Sequence, residues 1–370
     1  MNIAIDVSNT AGFRTGTEEY IEGLVYGLHR AGVSVVGIGR DTQALLPDKP
    51  GLGLDVRQRP SPFAKWWWEY YGVRRVPRDV DVVHIPFMAH PETRLSQPSV
   101  VTVHDLIPFR LANYRHSIKE RRYFAHVARA LPFADRLVAI SEATKHDMAE
   151  VFPELLAKTV VIPNGVHPDF FVEVDVERVS QITRRYGLRR HPRILYAGGY
   201  DERKNVGTLI TAMAEVFQHR KDGELVLVGA QDHLSVRRQV AEAGLDARVV
   251  VTPFVTRTEL VALYHSSDLF VYPSRYEGFG MPPAQALAVG VPVIAGDTPA
   301  VREVVQDFGL LVEPDNIDGW VDAIGRVLDS PAMVHKLMAA GQEYAVRFAW
   351  EEIAQRYLAV YQAAAKERNG

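Results

Sequence analysis

The sequence predicts an α/β protein of two doubly wound domains, each a parallel sheet covered by helices. Three observations predict it: short apolar runs of strand length recur along the chain, helical stretches lie between them, and the pattern restarts near the middle. The runs are apolar throughout rather than alternating, which is how strands covered on both faces read. Strand–helix alternation with short loops then gives parallel sheets.

In chain order the first series of expected strands is Asn2–Val7, Val33–Gly39, Val80–Ile85, Ser99–His104, Arg136–Ile140 and Thr159–Ile162. The second is Arg193–Ala197, Glu224–Val228, Val249–Val251, Leu269–Val271 and Val291–Ala295. Between the two series, VIPNGVHPDF (161–170) carries two prolines, a polar helix is expected over about Val176–Tyr186, and RILYAGG opens the second half. The domain boundary therefore falls near residues 170–190. Trp350–Lys366 reads as one amphipathic helix, with Ile353, Tyr357, Leu358 and Tyr361 at helical spacing.

At 370 residues, 47% apolar and 24% charged, the chain can bury two ordinary cores. It has no cysteine, which excludes disulfides, thiolate metal sites and thiol nucleophiles. A net charge of −3 gives no reason to expect a nucleic-acid partner. The start, MNIAIDVSNT, has no basic region or long apolar core, so no signal peptide is expected. No apolar stretch is long enough for a transmembrane helix. The expected location is cytoplasmic, either free or at the inner face of a membrane.

In open parallel sheets ligands bind beyond the C-terminal ends of the strands. The candidate chemistry should therefore lie in loops that follow strands, at a cleft between the two domains. The loop SNTAGFRTGTEEY after the first strand has Gly12 and Gly16 but not the Gly-x-Gly-x-x-Gly of dinucleotide binders. Gly16 precedes a helix expected from Thr17, where bare backbone N–H groups suit a phosphate; a simple turn glycine is the other reading. His104-Asp105 leaves the fourth strand, and a histidine there can serve a sugar hydroxyl or phosphate oxygen or merely tie down a loop.

In the second half, Gly198-Gly199-Tyr200-Asp201-Glu202-Arg203-Lys204-Asn205 follows a strand and precedes a helix over Val206–Val216. Flexible backbone with two adjacent cations suits a diphosphate better than a solvated basic turn. The richest segment runs from Tyr272 to Gln285, where glycines and prolines shape a tight loop that opens a helix near Pro282. The N–H groups of Gly278 to Met281 suit anionic oxygens. Glu277 beside them suits hydroxyl recognition, and a sugar donor presents hydroxyls next to phosphates.

Over Leu106–Arg136, Arg110, Arg115, Lys119, Arg121, Arg122, Arg129 and Arg136 face only Glu120 and Asp135, and Lys65-Trp66-Trp67-Trp68 adds aromatics to a cation. Peripheral contact with an anionic membrane is one reading. A solvated helix face with buried tryptophans is the other.

Taken together, these segments resemble glycosyltransferase family 4, of the GT-B fold. The resemblance runs nearly the whole chain: TGTEEYIEGLVYGL, WWWEYYGVRRVP before DVVHIPF, VTVHDLIPF, LVAISEATKHDM, VVIPNGVHPDFF, RILYAGGYDERKNV, ELVLVG, PFVTRTELVALYHSSDLFVYPSRYEGFGMPPAQALAVGVPVIA and FAWEEIAQRY, in that order. It implies a Rossmann-like acceptor domain over 1–172, joined by a final helix over about 350–370, and a Rossmann-like nucleotide-sugar domain over 173–349. It further implies that Arg203 and Lys204 hold the donor diphosphate, that Gly16 lies on its other side, and that His104 contacts the transferred sugar. Glu277 takes the place of the first carboxylate of a paired motif that holds the sugar ring. Gly198, Gly199, Val255, Ser274, Gly278, Phe279, Gly280, Met281 and Gln285 fall on the donor-binding side.

Two positions depart from the family pattern. Gln285 stands where the second carboxylate of the pair usually holds the ribose, and glutamine can accept from a hydroxyl and also donate. Gly199 stands where many members carry an arginine.

The implied reaction is transfer of a hexose, with retention, from a nucleotide diphosphate sugar of GDP-mannose or UDP-glucose type to a glycan, glycolipid or small-molecule hydroxyl. No cofactor or metal is expected, and the donor loop has no Asp-x-Asp. Alternatives of the same shape are a sugar-nucleotide epimerase or phosphorylase; a sugar-binding protein or a non-catalytic partner subunit are others.

Overall fold

The structure, a computed structural model, describes residues 1–7, 16–39, 55–58, 78–110 and 117–369. The chain forms two compact units, one of residues 1–167 with 348–370 and one of residues 168–347.

In the first unit, strands β1 (Asn2–Asp6), β2 (Ser34–Gly39), β3 (Asp55–Gln58), β4 (Val82–Ile85), β5 (Ser99–Val103), β6 (Arg136–Ala139) and β7 (Thr159–Val161) form one sheet in the order β3-β2-β1-β4-β5-β6-β7. Every pair is parallel; Ile3, for example, lies between Val35 of β2 and Val82 of β4. The helix Gly16–Arg30 buries Tyr20, Ile21, Leu24, Val25 and Leu28, one face at three- and four-residue spacing. Acidic Glu18 and Glu19 in its first turn and basic His29 and Arg30 in its last suit the helix dipole.

The final helix, Trp350–Asn369, belongs to this first unit. Trp350, Ile353, Tyr357 and Tyr361 are wholly buried in the core that also holds Tyr20 and Leu24. Room for the Trp350 indole comes from missing side chains: a Cβ on Gly23 would lie 1.9 Å from its Nε1, and one on Gly165 would lie 2.3 Å from its Cδ2. The Trp350 indole Nε1 has no hydrogen-bond partner among the described residues, but tyrosine, histidine and threonine groups of this core bond one another. Tyr20 donates to the Tyr357 hydroxyl at 2.7 Å, and His84 bonds Tyr361 at 2.6 Å and Thr102 at 2.8 Å.

The second unit repeats the plan with β8 (Arg193–Ala197), β9 (Glu224–Val228), β10 (Val249–Val251), β11 (Leu269–Tyr272), β12 (Val293–Gly296) and β13 (Leu310–Val312), ordered β10-β9-β8-β11-β12-β13 and all parallel. Strand order reverses between β8 and β11. That reversal makes a switch point, and the loops leaving these two strands flank it.

The structure adds two strands that were not expected, β3 and β13, both at sheet edges. The junction also comes earlier than residue 172. Pro168–Phe171 packs with the second unit, where Phe170 sits edge-on to Tyr264 at 5.8 Å and Asp169 pairs with Arg257 at 4.0 Å.

The basic stretch is only partly solvated. Arg110 pairs with Asp147 and Glu150, Arg129 with Glu92 and Arg136 with Glu367, while Lys119, Arg121 and Arg122 are exposed on the helix Ile118–Ala130. Among the described residues no helix is long and apolar enough to cross a membrane. Gly12, Arg115 and the Lys65–Trp68 stretch lie outside the described residues.

Candidate active site

Beyond β8 the chain exposes Gly198 and Gly199, then makes a single 3-10 turn over Glu202–Lys204. Asn205 ends that turn in the left-handed region, φ 57°, and starts the helix Val206–His219. Its side chain is anchored by donation to the Pro314 carbonyl at 2.7 Å. This tight reversal turns Lys204 inward toward the end of β11, where it is 8% exposed.

There Lys204 Nζ donates to the Tyr272 hydroxyl at 2.7 Å and to Glu277 Oε1 at 2.7 Å. Glu277 Oε1 also accepts from Tyr272 at 2.8 Å and from Ser274 at 2.6 Å. Its other oxygen, Oε2, faces the Arg203 guanidinium at 3.1 Å. Arg203 also donates to the Tyr276 carbonyl at 3.0 Å and lies against Asp201. Arg203, Lys204, Glu277 and Ser274, expected from the sequence, are thus one cluster, 73 positions of chain being spanned by the Lys204–Glu277 contact.

The charge state of the cluster follows from these contacts. Burial raises the Glu277 carboxyl, but the charges of Lys204 and Arg203 and donation from Lys204 and Ser274 outweigh it and hold the group below the ordinary carboxylate value. Burial and the neighbouring Glu277 charge push the Tyr272 phenol well above its ordinary range. The phenol is therefore a neutral donor and Glu277 an anion near neutral pH. Three donors saturate Oε1, so remaining acceptor capacity for a hydroxyl lies on Oε2.

The loop after β11 ends at Gly280, whose φ of 106° needs glycine, and the helix Met281–Val289 begins there. Phe279 is buried and Gly278 and Met281 are partly exposed. Gln285 is 4% exposed in the body of this helix, its Oε1 3.5 Å from the Tyr264 hydroxyl. Val255, 7% exposed, follows β10 and precedes Thr256, which caps the helix Arg257–His265.

Gly16 and His104 belong to the first unit. Gly16 is the exposed first residue of its helix, and no described atom lies within 4 Å of where its Cβ would be. One turn further, Tyr20 sits edge-on to His104, with ring centroids 4.8 Å apart. His104 Nε2 lies 2.8 Å from the Pro86 carbonyl, which can only accept, so Nε2 carries the proton and Nδ1 is an acceptor. Burial lowers this imidazole to about 4, so it is neutral. Asp105 is spent on its own turn, accepting from the Ile107 N–H at 3.0 Å.

Two contributors escape a reading of the sequence alone. Tyr196 looks like a core residue of an apolar strand and Tyr272 like no more than the start of the glycine- and proline-rich segment, yet Tyr272 bonds Lys204 and Glu277 and Tyr196 donates to the Gly199 carbonyl at 2.5 Å. The one signal in the sequence is the place of Tyr272, last in its strand and directly before Pro273-Ser274.

Residues 14–170 match the family Glycosyltransferase Family 4, and residues 181–344 match Glycosyl transferases group 1. The chain belongs to glycosyltransferase family 4. It is 31% identical to the D-inositol 3-phosphate glycosyltransferase of Xylanimonas cellulosilytica, over 64% of this chain and 58% of that relative. It is 32% identical to the MMP alpha-(1->4)-mannosyltransferase of Mycolicibacterium hassiacum, over 64% of this chain and 56% of that one. These matches span less than two thirds of either relative's length. In fold this family 4 chain resembles Anabaena Alr3699/HepE in complex with UDP-glucose, with a TM-score of 0.79 and 18% identity over 98% of this chain and 100% of the other. The two parallel-sheet units are those of the GT-B fold.

Proposed function

We propose that the chain is a retaining, metal-independent hexosyltransferase that takes its sugar from a nucleotide diphosphate donor. The observation that carries this reading is the cluster of Lys204, Arg203 and Glu277 at the switch point of the second sheet. Lys204 spends two of its three N–H groups on Tyr272 and Glu277. The third remains for an oxygen of the diphosphate.

As the bond from the anomeric carbon to the diphosphate breaks, negative charge grows on the departing phosphate. Fixed cations and loop N–H dipoles stabilise that charge more than the ground state, which is what accelerates the step. The acceptor hydroxyl attacks from the same face, and the leaving phosphate oxygen takes its proton. Arg203 and Lys204 supply the charge for which other transferases use a divalent ion. Glu277 Oε2 and the acceptor nitrogen of His104 receive sugar hydroxyls, and Gln285 receives the ribose.

The relatives suggest the donor class. One is named a mannosyltransferase and one fold neighbour was solved with UDP-glucose. GDP-mannose and UDP-glucose are accordingly the donors to try first, with glycan, glycolipid and small-molecule acceptors. The test is a thermal-shift series with UDP, GDP and their sugars, followed by assay of released nucleoside diphosphate with and without acceptor. A binder raises the unfolding temperature as RT ln(1 + [L]/Kd). A protein unmoved by every nucleoside diphosphate is not this enzyme. NMR of the product's anomeric proton reads retention directly, and turnover unaffected by EDTA is the expected sign of metal independence.

A further inference from the structure

We infer that Tyr272 is a positioning residue of the donor site: its phenol closes a ring of three hydrogen bonds with Lys204 Nζ and Glu277 Oε1, and so aims the remaining Lys204 N–H at a diphosphate oxygen. This rests on the donor reading above and adds a residue to it.

The three sides of the ring are 2.7, 2.7 and 2.8 Å. Their directions are forced. An ammonium only donates and a carboxylate only accepts, so the phenol accepts from Lys204 and gives its proton to Glu277. Two of the tetrahedral ammonium's N–H bonds are thereby fixed in space, and the direction of the third is set with them. With the hydroxyl gone, Lys204 keeps one bond to Glu277 and can rotate about it.

The phenol itself cannot move. Tyr272 is wholly buried, its ring stacked against Tyr196 and Phe270 at centroid distances of 6.1 Å. Tyr196 in turn holds the Gly199 carbonyl, so one stack of rings ties the glycine loop after β8 to the Lys204–Glu277 pair. Packing alone does not account for the hydroxyl. Phe270, two positions earlier in the same strand, fills the same layer without one.

Tyr272→Phe keeps the stack and removes only the hydroxyl. Four quantities decide: the unfolding temperature, the Kd for UDP and GDP by calorimetry, kcat with donor KM, and the titration of the Glu277 carboxyl. The last is followed by carbon-13 NMR and assigned with Glu277→Gln. Two hydrogen bonds to charged groups are lost, so the affinity for the nucleoside diphosphate and kcat should each fall about 10-fold. Glu277 should titrate at higher pH, having lost a donor to its ionised form. A merely structural tyrosine would lower the unfolding temperature and leave the Glu277 titration and kcat of the folded protein in place. That result, or wild-type nucleotide affinity in Tyr272→Phe, overturns the inference. Failure of the underlying reading looks different: the wild-type protein itself then binds neither UDP nor GDP, and the positioning role falls with it whatever the Glu277 titration shows.

Discussion

The Lys204 ammonium and the Glu277 carboxylate meet at 2.7 Å, each about one-tenth exposed, at the ends of the neighbouring strands β8 and β11. Two segments that the sequence separates by three helices, two intervening strands and their connections therefore act as a single charged unit. The pair is assembled by the fold itself, so a phosphate would meet a cation already held in place, with no reorganisation needed as charge develops.

Glu277→Gln removes an anion from beside two cations. The diphosphate should then bind at least as tightly, because competition for Lys204 and Arg203 is gone, while kcat should fall about 10²-fold, a loss of about 3 kcal/mol of transition-state stabilisation. Calorimetry with UDP or GDP alongside steady-state kinetics measures the split. Weaker binding with unchanged kcat would place Glu277 in ground-state binding instead.

The same carboxyl gives a pH signature in stability. Its folded value lies below the ordinary 4.5, so the unfolded chain takes up the proton first as pH falls. The stabilisation it contributes is complete above about pH 5 and is lost as pH drops through the folded value. Urea unfolding of wild type and Glu277→Gln should therefore differ by a constant amount from pH 8 to 6 and by less below pH 4.5. A gap that stays constant down to pH 3 contradicts the ion-paired state.

Buried histidines set a second, higher pH window. Burial lowers His84 to about 3, His90 to about 4 and His104 to about 4, so all three are neutral in the folded first unit. The unfolded chain protonates them below about 6.5, so stability should fall on acidification by about 1.4 kcal/mol per pH unit for each histidine. Urea unfolding from pH 7 to 5 measures the slope, and replacing any one of them should reduce it by that amount. A flat profile over this range contradicts the neutral buried state.

Gly23→Ala improves helix propensity by about 1 kcal/mol on an exposed helix. Here the new methyl would meet the Trp350 indole, so destabilisation of about 1–3 kcal/mol is expected in denaturant unfolding. Gly16→Ala, where no described atom lies within 4 Å of the added Cβ, should leave stability unchanged. Any loss of nucleotide binding in Gly16→Ala then reports on ligand approach and not on folding. Equal stability of the two variants would contradict the packing of the final helix on this face.

His104 is predicted to recognise a hydroxyl as an acceptor, since Nε2–H is already given to Pro86. His104→Ala should lower kcat/KM about 10- to 100-fold for the natural donor, and much less for the one monodeoxy donor that lacks the contacted hydroxyl. Equal losses across a full monodeoxy series would remove this contact.

Much of the architecture was legible because buried parallel strands are continuous apolar runs. Every strand expected from such a run is present, with ends shifted by at most two residues. The two that were missed are edge strands: Asp55–Gln58 is polar, and Leu310–Val312 is too short to stand out. Edge position removes the demand for a long apolar run, and with it the signal. The Arg203, Lys204 and Glu277 cluster was legible from loops after strands, since strand ends at a switch point converge. Tyr196 was not, because a tyrosine in an apolar run reads as core; Tyr272 heads the segment singled out, but only three-dimensional neighbours show where its hydroxyl goes. Pro168–Phe171 was assigned to the first domain for a similar reason: its attachment is decided by the Phe170–Tyr264 contact, which the linear pattern does not contain.

The most direct measurement is nucleoside diphosphate affinity and donor turnover in Lys204→Ala, with circular dichroism to show an unchanged fold. Losing this cation should reduce transition-state stabilisation by about 2–4 kcal/mol, so kcat should fall about 10²–10³-fold, with weakened binding of UDP or GDP. Near wild-type turnover and affinity in a folded Lys204→Ala protein would contradict the electrostatic basis of the whole assignment.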